Sequence, residues 1–212
     1  MDKKKLLTIK LLERIKAENT DSYNYVIPNF ISKKLIDYHS IRNDLLQVIR
    51  ATQILIERKD NEDPIVKACI WHSIIITYGK CFTDTSVSKR TKLEINSVIT
   101  DSEIELKKIH DKLIHLRHNF IAHRGDNEYE ISIAFLKIPK NNNNDFENSN
   151  YKIKSLTRFN PSVVELQSYI ILFDCIKNSV ERKMQKQGEK THNGFITLIK
   201  AIPLFPKYTL IK

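Results

Sequence analysis

The sequence predicts a mainly α-helical protein, a bundle of about five helices with a small inserted β-hairpin. Hydrophobic residues make up 41% of the 212 positions and only 4 residues are glycine, a composition typical of a globular, helix-rich protein. Apolar residues recur at spacings of three and four along most of the chain, and they alternate strictly only after Gly125. We therefore expect one helical domain over residues 1–190, with the hairpin at about 129–159, and an extended C-terminal arm over 191–212.

The first three helices are predicted from this periodicity and from one N-cap. Lys3–Glu18 is a basic amphipathic segment, which packs on its own domain or on a partner subunit more often than it lies on a membrane. Ser32–Glu57 carries a long apolar face. Asp63 before Pro64 is typical of a helix start, and the apolar residues from there to about Phe82 cover most of the helix, so we expect a central, buried helix.

A motif helix is predicted between Ser102 and Gly125, after a short helical turn within residues 93–99. Ser102 and Glu105 have the spacing of a capping box, and Gly125 suits the left-handed position that follows a helix. One apolar seam runs along this helix through Leu106, Ile109, Leu113, Leu116 and Phe120. His123 then stands where the seam calls for the next core residue.

The C-terminal third combines the hairpin with a final helix. Tyr129–Phe135 alternates as a strand does, and Tyr151–Phe159 fits the returning strand across a polar, asparagine-rich connection. A last helix begins at Asn160-Pro161 or Ser162 and runs to about Gln187. Gly188 is interpreted as its stop.

Charge and cysteine content indicate the class of partner and the compartment. A net charge of +10 and a pI near 9.4 favour an anionic partner, with RNA or DNA ahead of a membrane surface, although a merely basic protein has the same balance. Cys69, Cys81 and Cys175 are odd in number and widely spaced, as free thiols of a reducing cytoplasm are. The sequence contains no long apolar run and no signal-peptide pattern, so we expect a cytoplasmic protein without membrane association.

The heptapeptide from Arg117 to His123, RHNFIAH, resembles the motif of the HEPN superfamily. That motif is an arginine, usually followed by a polar residue, and then a histidine after four to six positions; here five residues intervene and His118 fills the polar place. The resemblance covers this motif and the helical plan. It implies a metal-independent ribonuclease of toxin or phage-defence type without a cofactor, acting as a homodimer whose two motifs face each other. An antitoxin or another protein partner is a further expectation, although Gly125 replaces the tyrosine that some of these toxins carry.

Arginine and histidine suit RNA cleavage for chemical reasons. Attack of the 2′-hydroxyl on the neighbouring phosphate needs a group that moves protons near neutral pH, which histidine provides, and a fixed positive charge, which arginine provides. We therefore expect Arg117 and His123 to be catalytic, with His118 and Asn119 in support. Asn119 lies one turn before His123 and is expected to hold its imidazole.

Two basic residues near the motif are expected to add affinity for RNA, namely Lys112 and Arg124.

The geometry of the motif requires a second chain to complete the site. On an ideal helix the side chains of Arg117 and His123 point about 120° apart and lie about 9 Å apart along the axis. A two-fold dimer that sets each Arg117 against the motif of the other chain overcomes this separation.

Three alternatives compete with this interpretation. Asp111, His115 and His118 are spaced so that all three lie on one helical face, as zinc or manganese ligands do, but a fourth ligand is not evident. Arg117 pairing with an acidic residue of a neighbouring helix, and His123 at the edge of the core, would both be structural. The chain would then be a HEPN-like binding or dimerisation module without nuclease activity.

Overall fold

The computed structural model describes most of the chain, apart from its C-terminus and several connections. It describes residues 2–22, 24–58, 63–83, 90–100, 103–121, 130–137, 150–157 and 161–201, with only the backbone of 120, 121, 130, 131 and 155–157. Within these residues the protein is mainly helical, with one two-stranded antiparallel sheet. The predicted helical bundle with a small β-hairpin is therefore confirmed.

The elements follow the predicted order along the chain. The five α-helices are α1 (Lys3–Glu18), α2 (Asn29–Glu57), α3 (Pro64–Lys80), α4 (Ile104–Leu116) and α5 (Val163–Ala201), and the two strands are β1 (Glu130–Lys137) and β2 (Asn150–Thr157). A 3-10 turn at Ile95–Ser97 precedes α4, and a π-helical turn at Arg117–Ile121 continues it.

The chain divides into two compact units. The terminal unit comprises Met1–Ser40 and Glu181–Lys212, and the central unit comprises Ile41–Val180. The boundary passes through α2 and through α5, because both helices extend from one unit into the other. The predicted single domain over residues 1–190 stays a prediction.

The central unit has a core of aliphatic and aromatic side chains from four helices. Trp71 of α3 stacks on Tyr169 of α5 with ring centroids 5.4 Å apart, and Tyr78 contacts Phe173 at 5.0 Å. Such offset aromatic pairs stabilise a core beyond the area that they bury. The same core includes Leu45, Val48, Leu55, Ile74, Ile75, Leu113, Leu116, Leu172, Ile176 and Val180.

Helix α3 begins as predicted but is not buried all round. The Asp63 carboxylate accepts a hydrogen bond from the Ile65 amide at 2.7 Å, with Pro64 in the first turn. Ile65 and Ile76 are exposed, however, although they are apolar. The expectation of a central, buried helix therefore holds for one face of α3 only.

The C-terminal segment corrects the predicted helix end and part of the predicted arm. Helix α5 runs through Gly188 to Ala201, so residues 191–201 are helical rather than extended. Thr191 and Phe195 are buried, and both continue the helical spacing of the apolar seam beyond Val180. An isolated glycine costs a helix only about 1 kcal/mol, which the burial of the apolar Phe195 offsets. Residues 202–212 lie outside the described part of the chain.

Helix α1 has the predicted bounds but contains no buried residue. Leu7 and Leu11 are exposed. None of the helices in the described ranges has both the length and the apolar character needed to cross a membrane.

Candidate functional site

The motif helix is oriented by the residues that it buries. His110, Leu113 and Leu116 face the core of the central unit, which leaves His115 and His118 exposed. In the turn before α4 the Glu103 carboxylate accepts hydrogen bonds from the amide and the hydroxyl of Thr100, each at 2.8 Å, and Glu103 is the N-cap residue of the helix. Ser102, the predicted cap, lies outside the described residues.

The helix changes its geometry within the motif itself. From Arg117 to Ile121 the backbone forms a π-helical turn instead of an α-helical one. Such turns are rare and occur frequently at functional sites. The angle of about 120° between Arg117 and His123, which assumes an ideal α-helix, therefore does not apply to this segment.

Arg117 lies directly against the backbone of α3 at Gly79. A Cβ atom added to Gly79 would stand 2.8 Å from Nε of Arg117 and closer still to its Cδ. Only glycine leaves room for the arginine stem here. Because Gly79 is itself buried in α3, the stem of Arg117 packs against that helix, while Arg117 as a whole is half-buried.

The guanidinium group of Arg117 makes no ion pair or hydrogen bond within the described part of the chain. The structural alternative, in which Arg117 pairs with an acid on a neighbouring helix, therefore has no support among these residues. With no carboxylate partner among these residues, the forked donor array of Arg117 suits an external anion.

The supporting residues occupy the exposed side of the motif. His118 is exposed, and Asn119 is half-buried. The Asn119 amide nitrogen donates a hydrogen bond to His115 Nδ1 at 2.9 Å, so the residue that Asn119 orients here is His115. The predicted hydrogen bond from Asn119 to His123 stays a prediction, because residues 122–129, including His123 and Arg124, lie outside the described residues.

The alternative metal site is not formed by the residues proposed for it. Asp111, His115 and His118 are all described, and no group of three or more histidine, cysteine or acidic side chains among the described residues is placed to hold a metal ion. His115 instead pairs with Asn119.

Lys112 joins the motif helix to α5. Its Nζ lies 3.0 Å from the Glu165 carboxylate, which also accepts hydrogen bonds from the amide and hydroxyl of Ser162 at the start of α5. Partial burial raises the pKa of Glu165, but the hydrogen bonds from Ser162 and Lys112 outweigh burial and bring the pKa to about 2. Lys112 thus has a structural partner, and its binding of RNA stays a prediction.

Sequence reasoning missed two residues beside the motif, Gly79 and His110. His110 is buried, and a hydrogen bond of 2.7 Å joins its Nδ1 to the hydroxyl of Tyr78, which is fully buried. The ring of Phe82 packs edge-on against the same imidazole, with ring centroids 4.5 Å apart. Burial lowers the pKa of His110, against a smaller opposing effect of Asp111. Only the apolar spacing of His110 with Leu113 would have indicated its inward position.

No family model, curated protein or solved structure gives a significant match to this chain. The likeness to the HEPN motif therefore rests on the residues of the motif helix themselves.

Proposed function

We propose that the protein is a metal-independent endoribonuclease of toxin or phage-defence type, with a composite site formed across a homodimer. The observation that supports this proposal most is the environment of Arg117. It is half-buried, packed against Gly79 and without an ion pair among the described residues. A guanidinium that no described carboxylate neutralises suits the negative charge that develops on a phosphate under attack.

The proposed reaction is transesterification within the RNA chain. The 2′-oxygen forms a bond to phosphorus while the bond from phosphorus to the 5′-oxygen breaks, which leaves a 2′,3′-cyclic phosphate and a 5′-hydroxyl. His123 transfers the proton, and Arg117 stabilises the pentavalent phosphate. His118 and Asn119 assist from the exposed side of the motif, with Asn119 holding His115 beside them.

The substrate is expected to be unpaired RNA. In-line attack requires the 2′-oxygen, the phosphorus and the leaving oxygen to align, and the A-form geometry of a duplex restrains the backbone from doing so. The net charge of +10 would gather RNA onto the protein, with an affinity that falls as the salt concentration rises.

Cleavage of RNA in the presence of EDTA tests this function. The purified protein is incubated with total RNA beside Arg117→Ala, Arg117→Lys and His123→Ala. Cleavage to 2′,3′-cyclic phosphate ends is expected for the wild type. Loss of at least about 100-fold in rate is expected for Arg117→Ala and His123→Ala. Arg117→Lys keeps the charge but not the two-pronged donor array, so partial activity is expected.

Two exposed residues outside the motif provide matched controls. Arg182→Ala and His192→Ala remove the same side-chain types from the surface of α5 and should leave cleavage unchanged. Activity that depends on a divalent metal contradicts the proposal. Binding of RNA without any cleavage would instead identify a non-catalytic binding module.

A further inference from the structure

The β-hairpin has two chemically different faces. Residues paired directly across an antiparallel ladder point to the same side, and the register pairs Ile133 with Lys154, Phe135 with Lys152, and Lys137 with Asn150. One face, here called the lysine face, therefore carries Lys137, Lys152 and Lys154 around Phe135. The opposite face includes Ala134, Leu136, Tyr151 and Ile153, and it has no lysine or arginine in either strand.

The lysine face is open to solvent. All three lysines are exposed, Phe135 is 45% exposed and Ile133 is 62% exposed. No carboxylate stands on this face within Glu130–Lys137 or Asn150–Thr157, and no ion pair among the described residues involves its lysines. Three positive charges without a carboxylate partner among the described residues thus surround one exposed aromatic ring.

We propose that the lysine face binds single-stranded RNA. Lysines 152 and 154 lie two residues apart on one strand, about 6.8 Å along it, which is comparable to the separation of neighbouring phosphates along an extended strand. Phe135 directly opposite Lys152 offers a ring on which a base can stack. Positive charge that follows the backbone, combined with an aromatic platform, is the usual chemistry of single-strand binding. The charge favours RNA over an apolar protein segment, which the opposite face would suit better.

This inference rests on the proposed function for its choice of RNA, but its test does not require cleavage. Fluorescence anisotropy measures binding of a labelled 2′-O-methyl oligouridine, which lacks the attacking hydroxyl, at several salt concentrations. Lys152→Gln/Lys154→Gln should weaken binding at least about tenfold and reduce the slope of log affinity against log salt by about 1.4, the value for two lost phosphate contacts on a single strand. Phe135→Ala should weaken binding at least about fivefold with an unchanged slope, because stacking releases no counterions.

Lys3→Gln/Lys5→Gln is the matched control, since it removes the same charge at the same sequence spacing from exposed positions of α1. It should retain most of the affinity. Equal weakening by both lysine pairs would show a general effect of net charge and overturn the proposal. Unchanged binding by Lys152→Gln/Lys154→Gln, or self-association through the hairpin in place of RNA binding, would also overturn it. Binding through the lysine face with no cleavage of natural RNA would sustain this inference and refute the nuclease.

Discussion

The contact between Arg117 and Gly79 can be tested through the stability of the protein, independently of any activity. In the wild-type background, Gly79→Ala places a methyl group against the Arg117 stem, and we expect a loss of about 1–3 kcal/mol in the free energy of unfolding. In the Arg117→Ala background the three atoms that approach the added methyl group most closely are gone, and the better helix propensity of alanine should stabilise the protein by up to about 1 kcal/mol. Urea denaturation of the four proteins measures both effects.

Comparing the effect of Gly79→Ala in the two backgrounds shows whether the Arg117 stem lies against Gly79. The same effect of Gly79→Ala in both backgrounds would show that the arginine stem does not occupy the space beside Gly79. Opposite signs would establish that the glycine positions Arg117, whether or not the site cleaves RNA.

His110 is expected to make the stability of the protein sensitive to mild acid. Burial lowers its pKa below the ordinary 6.5, so the unfolded chain binds a proton that the folded chain resists. Its contribution is therefore complete above pH 6.5 and is lost as pH falls towards the lowered pKa, by at most about 1.4 kcal/mol per pH unit. His110→Asn should remove this part of the pH dependence between pH 7.5 and 5.5, as measured by urea denaturation.

An exposed histidine provides the control for this pH effect. His192→Asn, which removes an exposed histidine of α5, is the comparison variant, and His72, whose pKa burial also lowers, remains in every protein compared. A His110→Asn variant that loses stability with acid as steeply as the wild type would contradict the account. His110→Asn also removes the hydrogen bond to the buried hydroxyl of Tyr78. We therefore expect this variant to lose about 1–3 kcal/mol of stability at pH 7.5 as well, the cost of a buried polar group without a partner.

At the scale of the elements, α5 offers a glycine that contrasts with Gly79. A Cβ atom added at Gly188 meets no atom within 4 Å, and Gly188 lies in the interior of a helix of 39 residues. We therefore expect Gly188→Ala to raise the free energy of unfolding by about 0.5–1 kcal/mol. Thermal denaturation followed by circular dichroism measures the change. A destabilised variant would contradict a continuous helix through residue 188.

Local signals predicted the starts of α3 and α5 better than the end of α5. Asp63 and Ser162 start their helices through side-chain caps that short sequence patterns reveal, and the alternation after Gly125 identified β1. The sequence did not predict the full length of α5. Gly188 is a local stop signal, but the helix continues because Thr191 and Phe195, further along the chain, are buried.

The candidate site was predictable in its residue types but not in its contacts. The spacing of Arg117 and His123 is visible in the sequence. The place of Gly79 against Arg117 is not, because it depends on how α3 crosses the motif. The π-helical turn at Arg117–Ile121 also follows from packing that no helical period encodes.

At the scale of the whole molecule, the proposed homodimer makes the sharpest prediction. If each site takes Arg117 from one chain and His123 from the other, Arg117→Ala and His123→Ala should complement each other after the two inactive proteins are mixed and allowed to exchange subunits. Half of the dimers are then heterodimers with one intact site of two, so about a quarter of the wild-type rate should return. RNA cleavage in EDTA measures the rate, and each variant alone sets the background. A mixture as inactive as its components, although an affinity tag on one variant captures the other and so shows heterodimers, would place Arg117 and His123 in one chain's site. Sedimentation that shows only monomers at micromolar concentration would contradict the composite site altogether.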